Sequence, residues 1–468
     1  MLLQQYYLGC LAHASYMVAD PESGVAAVID PQRDVQQYLR DAAAHGVRIA
    51  HVFLTHFHAD FVAGHLELQQ ATGARIHLGA RGRAEYEFEP ARDGDRIDLG
   101  PGVRLEILET PGHTPEGISI LVYDHGASTT QPHAVLTGDT LFIGDVGRPD
   151  LMASIGITAD ELAGMLYDSL HGKLLPLPDD VIVYPAHGAG SMCGKNLSRE
   201  TSSTLGAQRK YNYALQPMAR AEFIRVVTAD QLAAPAYFAY DAALNKQNRP
   251  LLDAALVSGL RPRSVAEVRA AQAAGAYVLD TRDAADWADA HWPGSVNIGL
   301  GGQFASWAGT LLDRTRRIVL IAEPGREEEA AMRLGRIGFD HVDGALHRGM
   351  AALAGTDELV RHSERITAPG LAERLAAPDA PWVLDVRNPG EWQQKRIPNT
   401  NLVPLAELQQ RLHEIPAGRQ LVVHCAGGYR SAIALSLLEQ HGIDHAMDLI
   451  GGIAAWEKLS LPLETASA

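Results

Sequence analysis

The chain has few cysteines, no long hydrophobic run and no cluster of basic residues. Its 468 residues include three cysteines, Cys10, Cys193 and Cys425, too few for a disulfide framework and in keeping with a reducing cytoplasm. No apolar run approaches the roughly 18 residues that a membrane-spanning helix needs. The formal net charge of −16 argues against nucleic-acid or anionic-membrane partners, because phosphate binding requires clustered Lys and Arg.

Length and composition describe a globular protein of several domains. The apolar fraction is 46% and the charged fraction is 21%. A chain of this length is enough for roughly two to four domains with separate cores. The segment from Met1 to Tyr6 has neither a basic region nor a long apolar core, so we expect no signal peptide and a cytoplasmic protein.

Histidine and aspartate follow short apolar runs at four places in the first half. Residues 55–65 read THFHADFVAGH, directly after the predicted strand 51–54. Further motifs are TPGHTPEG at 110–117, LTGDT at 136–140 and YPAHG at 184–188. Loops at strand ends can aim side chains at one centre, and imidazole with carboxylate suits Zn, Fe, Ni or Cu. A histidine-rich surface loop would explain the first motif alone, but not four ordered motifs.

The second half contains an internal repeat. VLDTR at 278–282 recurs as VLDVR at 383–387, and Trp287 of the first copy corresponds to Trp392 of the second. Units of about 100 residues are too long for solenoid repeats, so they are predicted to be tandem domains. The run QNRP at 247–250 is a candidate exit from the preceding domain.

A cysteine loop occurs in the second copy alone. Residues 424–431 read HCAGGYRS, where backbone N–H groups and a helix N-terminus would stabilise a thiolate or persulfide at Cys425. The corresponding EPGRE at 323–327 has no nucleophile and would repel an anion, which indicates a scaffold or docking domain. Two functions could use such a loop: transfer of a sulfur atom, or phosphate hydrolysis by a cysteine-based phosphatase. Phosphatase loops have one residue more between Cys and Arg than the four found here, which favours sulfur transfer.

The four ordered motifs resemble the metallo-β-lactamase superfamily over about the first 245 residues, and both later copies resemble rhodanese domains. The domain order is similar to that of persulfide dioxygenase–rhodanese fusions with a cysteine-less rhodanese-like domain in the middle. This resemblance implies an α/β fold, a metallo-β-lactamase αββα sandwich followed by two rhodanese-like α/β domains with parallel sheets. It implies domains at residues 1–245, 261–358 and 359–468, with a linker at 246–260.

The resemblance also implies roles for the histidines and aspartates. The ligands of one Fe(II) per chain, with O₂ as cosubstrate, would be His56, His113 and Asp139. Two-metal members of the superfamily carry histidine where Phe61 stands here, so a binuclear hydrolytic site would lose a ligand. The remaining cluster would orient the ligands through hydrogen bonds or hold a second metal: His58, Asp60 and His187.

Several residues are candidates for substrate handling. Arg148 could hold an anionic part of the substrate or pair with Asp150. Cys193 could lie at the mouth of the metal site, where Lys195 would favour its thiolate. In the cysteine loop we expect catalysis by Cys425 and Arg430, with substrate contacts from Gly427, Gly428 and Tyr429.

The resemblance implies oxidation of a low-molecular-weight persulfide to sulfite, with glutathione, coenzyme A or a similar thiol as the carrier. The cysteine would transfer sulfane sulfur to make or use thiosulfate, and the direction of that step stays open. Two other functions also stay open: a Zn-dependent thioester hydrolase of glyoxalase II type fused to a rhodanese, and a largely non-catalytic sulfur carrier or sensor. We expect no nucleic-acid or membrane partner and a homo-oligomer, either a dimer or a tetramer.

Overall fold

The computed structural model describes residues 1–151, 156–229, 231 and 234–465. The chain divides into two compact units, Met1–Leu252 with Gly335–Gly338, and Asp253–Leu334 with Phe339–Ala468. Within the described ranges, no helix has the length and apolar character needed to cross a membrane. The finer domain boundaries given above stay a prediction.

The first unit contains two six-stranded sheets. The strands of the first sheet, in spatial order, are β1 (Leu2–Leu8), β2 (His13–Asp20), β3 (Val25–Ile29), β4 (Arg48–Leu54), β5 (Arg75–Gly79) and β6 (Glu89–Ala91). The strands of the second are β7 (Arg96–Asp98), β8 (Val103–Glu109), β9 (Ile118–Asp124), β10 (Ala134–Gly138), β11 (Ile182–Pro185) and β12 (Ser203–Thr204), which also lie side by side in that order.

Helices cover the outer faces of both sheets. The helices of this unit are α1 (Gln36–Ala44), α2 (His65–Thr72), α3 (Ala159–Ser169), α4 (Leu205–Tyr211), α5 (Arg220–Thr228) and α6 (Phe238–Leu244). Successive strand residues face opposite ways: Tyr16 of β2 and Ile120 of β9 join the core between the sheets. Their neighbours face the helices, Met17 in the cluster under α1 and Leu121 in the cluster under α3. The predicted αββα sandwich is confirmed.

The second unit contains two five-stranded sheets and one short ribbon. The strands are β13 (Pro262–Arg263), β14 (Tyr277–Asp280), β15 (Val296–Asn297), β16 (Ile318–Ile321), β17 (Val342–Leu346), β18 (Arg365–Ile366), β19 (Trp382–Asp385), β20 (Lys395–Arg396), β21 (Thr400–Leu402), β22 (Leu421–His424), β23 (Ala446–Leu449) and β24 (Glu464–Thr465). The helices are α7 (Leu252–Gly259), α8 (Val265–Ala273), α9 (Ala284–Asp289), α10 (Phe304–Leu311), α11 (Glu327–Gly335), α12 (Ala368–Leu375), α13 (Pro389–Gln394), α14 (Tyr429–Gln440) and α15 (Gly452–Lys458).

The two five-stranded sheets share one topology. Their orders are β13-β17-β16-β14-β15 and β18-β23-β22-β19-β21, and every pairing in both is parallel. The central strands β16 and β22 are buried along their whole length, as expected for parallel strands covered on both faces. The predicted pair of α/β domains with parallel sheets is therefore confirmed. Cys425 directly follows β22, at the carboxyl edge of the second of these sheets.

Candidate metal centre and cysteine site

The three predicted metal ligands come from the ends of three strands. His56 follows β4, His113 follows β8 and Asp139 follows β10, and one ligand atom of each lies within 4.8 Å of the other two. Asp139 Oδ2 is 3.7 Å from His56 Nε2 and 3.4 Å from His113 Nε2. All three side chains are buried. The fold thus brings together the ligands that the motifs indicated.

Hydrogen bonds at Nδ1 turn both Nε2 atoms towards the centre. His113 Nδ1 donates to the Arg148 carbonyl at 2.9 Å, and His56 Nδ1 lies 3.0 Å from the Thr55 hydroxyl. That hydroxyl donates its own proton to the Asp30 carboxylate at 2.8 Å, so its oxygen is left to accept from His56. Both Nε2 atoms then carry a lone pair, which is the form that binds a metal.

The protonation states suit a cation. Burial lowers the pKa of His56 and of His113, which keeps both imidazoles neutral. Burial opposes ionisation of Asp139, but the imidazoles of His187 and His56 hold its pKa well below the usual range. In the part of the chain that the structure describes, Asp139 Oδ2 is buried without a hydrogen-bond partner. Neutral imidazoles around an unpaired carboxylate oxygen fit a bound metal ion.

Close backbone packing shapes the space around Asp139. A Cβ atom at Gly138, whose φ is +52°, would lie 2.6 Å from Thr55 Oγ1, and one at Gly147 would lie 2.0 Å from the Asp139 carbonyl oxygen. A small, partly open pocket borders the ligands. Besides them and Thr55, its walls are Thr110, Thr114, Gly117, Ile118 and Thr140. The centre is therefore a small pocket with hydroxyl-bearing and apolar walls.

A second buried cluster contains His58, Asp60 and His187, whose ligand atoms also lie within 4.8 Å of one another. His187 Nδ1 is 2.8 Å from Asp139 Oδ1, and its Nε2 is 2.9 Å from Asp60 Oδ2. Burial opposes protonation, but these two carboxylates raise the pKa of His187 well above its usual value. His58 Nε2 is likewise 2.9 Å from Asp30 Oδ1. These contacts favour a role in orienting Asp139 over coordination of a second ion.

Phe61 and His13 complete the wall of this cluster. The Phe61 ring is buried and its centroid lies 4.4 Å from that of His58 and 4.0 Å from that of His13. No sequence motif pointed to His13, which the bridge between β2 and His187 brings here. Among the described residues, neither ring nitrogen of this buried histidine has a hydrogen-bond partner. In the sequence His13 is a single histidine at the start of an apolar strand, a pattern that does not distinguish a residue of the metal cluster from an ordinary core residue.

Arg148 forms the ion pair that the sequence offered as one of two alternatives. Its Nε and Nη2 atoms each lie 2.7 Å from the Asp150 carboxylate, and Nη1 donates to the Met192 carbonyl at 3.2 Å. The side chain is 2% exposed. Arg148 therefore contacts the metal centre through its backbone carbonyl, which accepts from His113.

Cys193 lies beside the predicted ligands, with Sγ within 4.8 Å of ligand atoms of Asp139 and His187. Burial, together with the nearby carboxylates, raises the pKa of the Cys193 thiol well above its usual value. Lys195 was expected to favour a thiolate here, and that expectation is wrong. Its Nζ donates instead to backbone carbonyls at the end of α5. Cys193 is a neutral thiol in this environment.

Cys425 lies between β22 and α14, and its side chain is buried. The Gly428 N–H donates to Cys425 Sγ at 3.1 Å, with Gly428 at a φ of +105° that favours glycine. The Ser431 hydroxyl lies 3.6 Å from the sulfur and donates to Asp448 Oδ1 at 2.6 Å. A backbone donor at the start of a 12-residue helix is suited to a sulfur anion.

The start of α15 supports the cysteine loop from behind. The Ile453 N–H donates to the Cys425 carbonyl at 2.9 Å, and the Ala454 N–H donates to the Ala426 carbonyl at 3.0 Å. A Cβ atom at Gly452 would lie 2.3 Å from the Cys425 carbonyl oxygen. The loop therefore rests on a glycine that cannot be enlarged without displacing it.

Arg430 is held by a residue that the sequence did not mark as its partner. Its Nη1 and Nη2 atoms donate to Glu391 at 2.7 and 2.8 Å. Burial opposes ionisation of Glu391, but Arg430 lowers the pKa of that carboxyl. Of the other loop residues, Gly427 is exposed, and the Tyr429 hydroxyl donates to the Gly299 carbonyl at 2.8 Å. Gly427 therefore marks the solvent side of the loop.

The loop after β16 has a carboxylate where an anion would bind. Glu327 begins α11, and its side chain accepts from the Gly325 N–H at 2.8 Å. Arg326 is paired with Glu329 at 2.8 Å. The Glu327 carboxylate thus occupies the N-terminus of α11. An anion cannot bind in this loop in the way expected at Cys425.

Comparison with known proteins covers both parts of the chain. Residues 8–187 match the metallo-β-lactamase superfamily, and residues 264–354 and 367–459 match the rhodanese-like domain. The mitochondrial persulfide dioxygenase of Bos taurus is 30% identical over 239 residues, covering 50% of this chain and 84% of that protein. A hydroxyacylglutathione hydrolase of Polaromonas sp. is 34% identical over 190 residues, covering 40% of this chain and 66% of that protein.

Among solved structures, a metallo-β-lactamase from Staphylococcus aureus subsp. aureus COL shares 31% identity and a TM-score of 0.63, covering 74% of this chain and 98% of that one. The similarity to this structure therefore covers more of the chain than residues 8–187, which match the superfamily. The chain belongs to the metallo-β-lactamase superfamily, as a fusion of a domain related to persulfide dioxygenases with two tandem rhodanese-like domains.

Proposed function

We propose that this chain oxidises the outer sulfur of a low-molecular-weight thiol persulfide to sulfite with Fe(II) and O₂, and that Cys425 transfers sulfane sulfur to make or use thiosulfate. One observation carries the proposal: a buried centre of two neutral imidazoles and one carboxylate, His56, His113 and Asp139. Non-haem Fe(II) oxygenases use this ligand set and keep positions open for O₂ and substrate. The 30% sequence identity to a persulfide dioxygenase supports the same reaction.

The chain's own residues would hold and orient the metal. His56 and His113 would bind through Nε2, since their Nδ1 atoms are engaged, and Asp139 would bind through Oδ2. Bound iron would supply the O₂ chemistry that no side chain provides. His187 donates to the other oxygen of Asp139 and so fixes the plane of the carboxylate.

The oxidation balances without a further reductant. A persulfide, O₂ and water give a thiol, sulfite and two protons, and the electrons lost by the outer sulfur equal those gained by O₂. The pocket beside the ligands would receive the persulfide end of the substrate. Of its threonine hydroxyls, that of Thr114 has no hydrogen-bond partner among the described residues and so could donate to an oxygen of the product.

Sulfur transfer would then use the thiolate of Cys425. The thiolate attacks the sulfane sulfur of a persulfide or thiosulfate, a new S–S bond forms at Cys425, and the thiol or sulfite leaves. The Gly428 N–H and the N-terminus of α14 would stabilise the resulting persulfide anion. Attack by sulfite on that outer sulfur releases thiosulfate and restores the thiolate, so the two reactions share sulfite.

A Zn-dependent thioester hydrolase is the second candidate, because the chain is 34% identical to a hydroxyacylglutathione hydrolase. Two features count against it. Phe61 offers no ligand for a second ion, and His187 is occupied by Asp60 and Asp139. The two candidates differ in metal, in oxygen use and in product.

Metal content combined with O₂ uptake tests the proposal. The full chain is expressed with iron available, purified anaerobically and assayed for Fe and Zn, and glutathione persulfide or coenzyme A persulfide is then added. We expect about one Fe per chain and persulfide-dependent O₂ uptake. Cys425→Ser should keep O₂ uptake and lose sulfur transfer, whereas the matched control Cys10→Ser should keep both.

Two results would overturn the proposal. Two Zn ions per chain with thioester cleavage and no O₂ uptake would establish the hydrolase. Loss of both O₂ uptake and sulfur transfer in Cys425→Ser would show that the two sites are not separate.

A further inference from the structure

The helix that follows Cys425 is bonded along one side to the cysteine-less domain. The bonds come from residues 291–302, which we call the clasp segment. The Tyr429 hydroxyl donates to the Gly299 carbonyl at 2.8 Å, and the Asn297 N–H donates to Ser436 Oγ at 2.9 Å. Near the end of α14, the Glu439 carboxylate accepts from the Gly294 N–H at 3.1 Å and lies 2.7 Å from His291 Nε2.

These contacts form a single stripe on α14. Tyr429, Ser436 and Glu439 are seven and three residues apart, which places them on one side of an α-helix. The stripe runs from the first turn of the helix to its last. The clasp segment therefore fixes both the position of α14 along its axis and its rotation.

The Tyr429 ring packs closely against glycines of the clasp segment. A Cβ atom at Gly302 would lie 2.5 Å from the ring, and one at Gly299 would lie 3.6 Å from it. Burial raises the pKa of Tyr429, so its hydroxyl stays protonated and can donate. The Gly302 backbone and the Tyr429 ring are thus in contact, and a residue larger than glycine at position 302 would displace the ring.

The clasp segment is itself held in place by the cysteine-less domain. Arg333 donates to the Leu300 carbonyl at 2.6 Å and to the Gly302 carbonyl at 3.2 Å. Asn297 Nδ2 donates to the Asp280 and Arg282 carbonyls at 3.1 and 2.9 Å. These bonds tie the segment to β14 and α11, so the support presented to Tyr429 is a fixed surface and not a free loop.

Tyr429 is also part of the cysteine loop. It directly follows Gly428, whose N–H donates to Cys425 Sγ, and it is the first residue of α14. Two consecutive glycines, Gly427 and Gly428, leave this loop many backbone conformations. Anchoring the next residue therefore restricts the direction in which the Gly428 N–H points.

We propose that the cysteine-less rhodanese-like domain acts as a positioning domain for Cys425, and that Tyr429 is the positioning residue through which it holds the loop. The cysteine-less domain has no nucleophile in its own loop, but its clasp segment positions the Gly428 N–H that donates to Cys425. The proposal rests on the sulfur transfer proposed for Cys425. It explains why a second rhodanese-like domain without its own cysteine is retained in contact with α14.

The test uses the full, iron-loaded chain and two variants with matched controls. Tyr429→Phe removes the hydrogen bond to Gly299 and keeps the ring, and its control is Tyr211→Phe at an exposed tyrosine. Gly302→Ala displaces the ring, and its control is Gly301→Ala, where a Cβ atom would make only an ordinary 3.5 Å contact. Persulfide-dependent O₂ uptake in all four variants reports that the metal centre is intact.

Two readouts are measured at Cys425. The first is kcat and KM for sulfur transfer from thiosulfate to cyanide. The second is the pH dependence of Cys425 alkylation by iodoacetamide, followed by mass spectrometry of its peptide, which does not require turnover. Tyr429→Phe should lower kcat/KM about three- to tenfold, the effect of one lost hydrogen bond, and Gly302→Ala should lower it further. In both, half-maximal alkylation should move about half a unit to higher pH, because the Gly428 N–H is less well aimed at the thiolate.

The outcomes separate this proposal from the proposed function. Unchanged kinetics and alkylation relative to the controls would refute the positioning role. Lower activity with an unchanged alkylation profile would show that Tyr429 serves stability alone, which also refutes it. If the alkylation profile shifts as expected but the unaltered chain transfers no sulfur, the positioning role stands and the proposed sulfurtransferase activity is wrong.

Discussion

Asp139 is the residue on which the predicted metal centre depends most, because it contacts three histidines. One carboxylate oxygen faces His56 and His113, and the other accepts from His187. It is also the sole negative charge among the three predicted ligands, and the imidazoles around it keep it ionised. Metal affinity should therefore respond more strongly to its charge than to its size.

We expect Asp139→Asn to abolish iron binding, since the substitution keeps the shape of the side chain and removes its charge. Iron content, measured by mass spectrometry of the purified protein, should fall from about one per chain to less than about a tenth of that value. The matched control is Asp180→Asn, at an exposed aspartate. Normal iron content in Asp139→Asn would mean that the metal lies elsewhere.

Glu67 is a buried carboxylate between two buried guanidinium groups. It lies 2.6 Å from Arg249 and 3.2 Å from Arg33. Burial alone would raise the pKa of Glu67, but Arg249 and Arg33 lower it. The stability that this carboxylate contributes is therefore complete above its unfolded-state pKa of about 4.3 and is lost as the pH falls through the lower folded-state value.

Glu67→Gln should destabilise the first unit by about 3–5 kcal/mol at pH 7, because it removes the carboxylate charge that pairs with two buried guanidinium groups. The difference from the unaltered chain should shrink progressively below about pH 4 and be lost once the pH is below the lowered pKa of folded Glu67, where that carboxyl is protonated as well. Urea unfolding at both pH values measures this, with Glu22→Gln at an exposed glutamate as the control. A pH-independent difference would contradict the assignment.

At the scale of elements, the cysteine loop depends on how closely α15 approaches β22. Gly452 has a φ of +58°, and a Cβ atom there would lie 2.3 Å from the Cys425 carbonyl oxygen. The helix start cannot retreat without losing the hydrogen bond from Ile453 to that carbonyl. A side chain at position 452 must therefore move the loop.

Gly452→Ala should lower sulfur transfer about ten- to a hundredfold through misplacement of Cys425, and should cost about 1–3 kcal/mol of stability. O₂ uptake should not change. Gly390→Ala is the control in the same domain, since a Cβ atom there meets nothing within 4 Å. Equal sulfur-transfer rates in the two variants would show that the loop tolerates the shift.

Elements that follow from local patterns were predictable, and contacts between distant elements were not. The ligands follow strands because each motif comes directly after an apolar run, and the repeat of VLDTR as VLDVR predicted two sheets of one kind. By contrast, His13 reaches the metal cluster only through a bridge to His187, and Glu391 reaches Arg430 across 39 positions of sequence. Pairings of this kind depend on the register of packed elements, which no local pattern encodes.

At the scale of the whole molecule, two compact units carry two proposed reactions that share sulfite. Sulfite is a small anion and can diffuse between protein molecules. A mixture of Asp139→Asn and Cys425→Ser chains should therefore form thiosulfate from glutathione persulfide, although neither variant does so alone. Ion chromatography of the products measures this. Absence of thiosulfate from the mixture would mean that sulfite must be passed within a single chain.

The assembly state and the thiol carrier are properties of the whole molecule. A homo-oligomer, whether a dimer or a tetramer, stays a prediction that light scattering can test. The domain boundaries at residues 245, 260 and 358 also stay predictions. Such properties depend on surface chemistry and not on the strand-end motifs that identify the family.

The two parallel sheets with one strand order have a consequence for how the protein folds. β14 and β19 have similar sequences and occupy the same place, next to the edge strand, in their two sheets, so each can pair with strands that belong to the other copy. During synthesis the earlier copy is complete before the later one emerges, which protects the correct pairing. Refolding from denaturant removes that temporal order, and exchange of strands between copies then becomes a competing route.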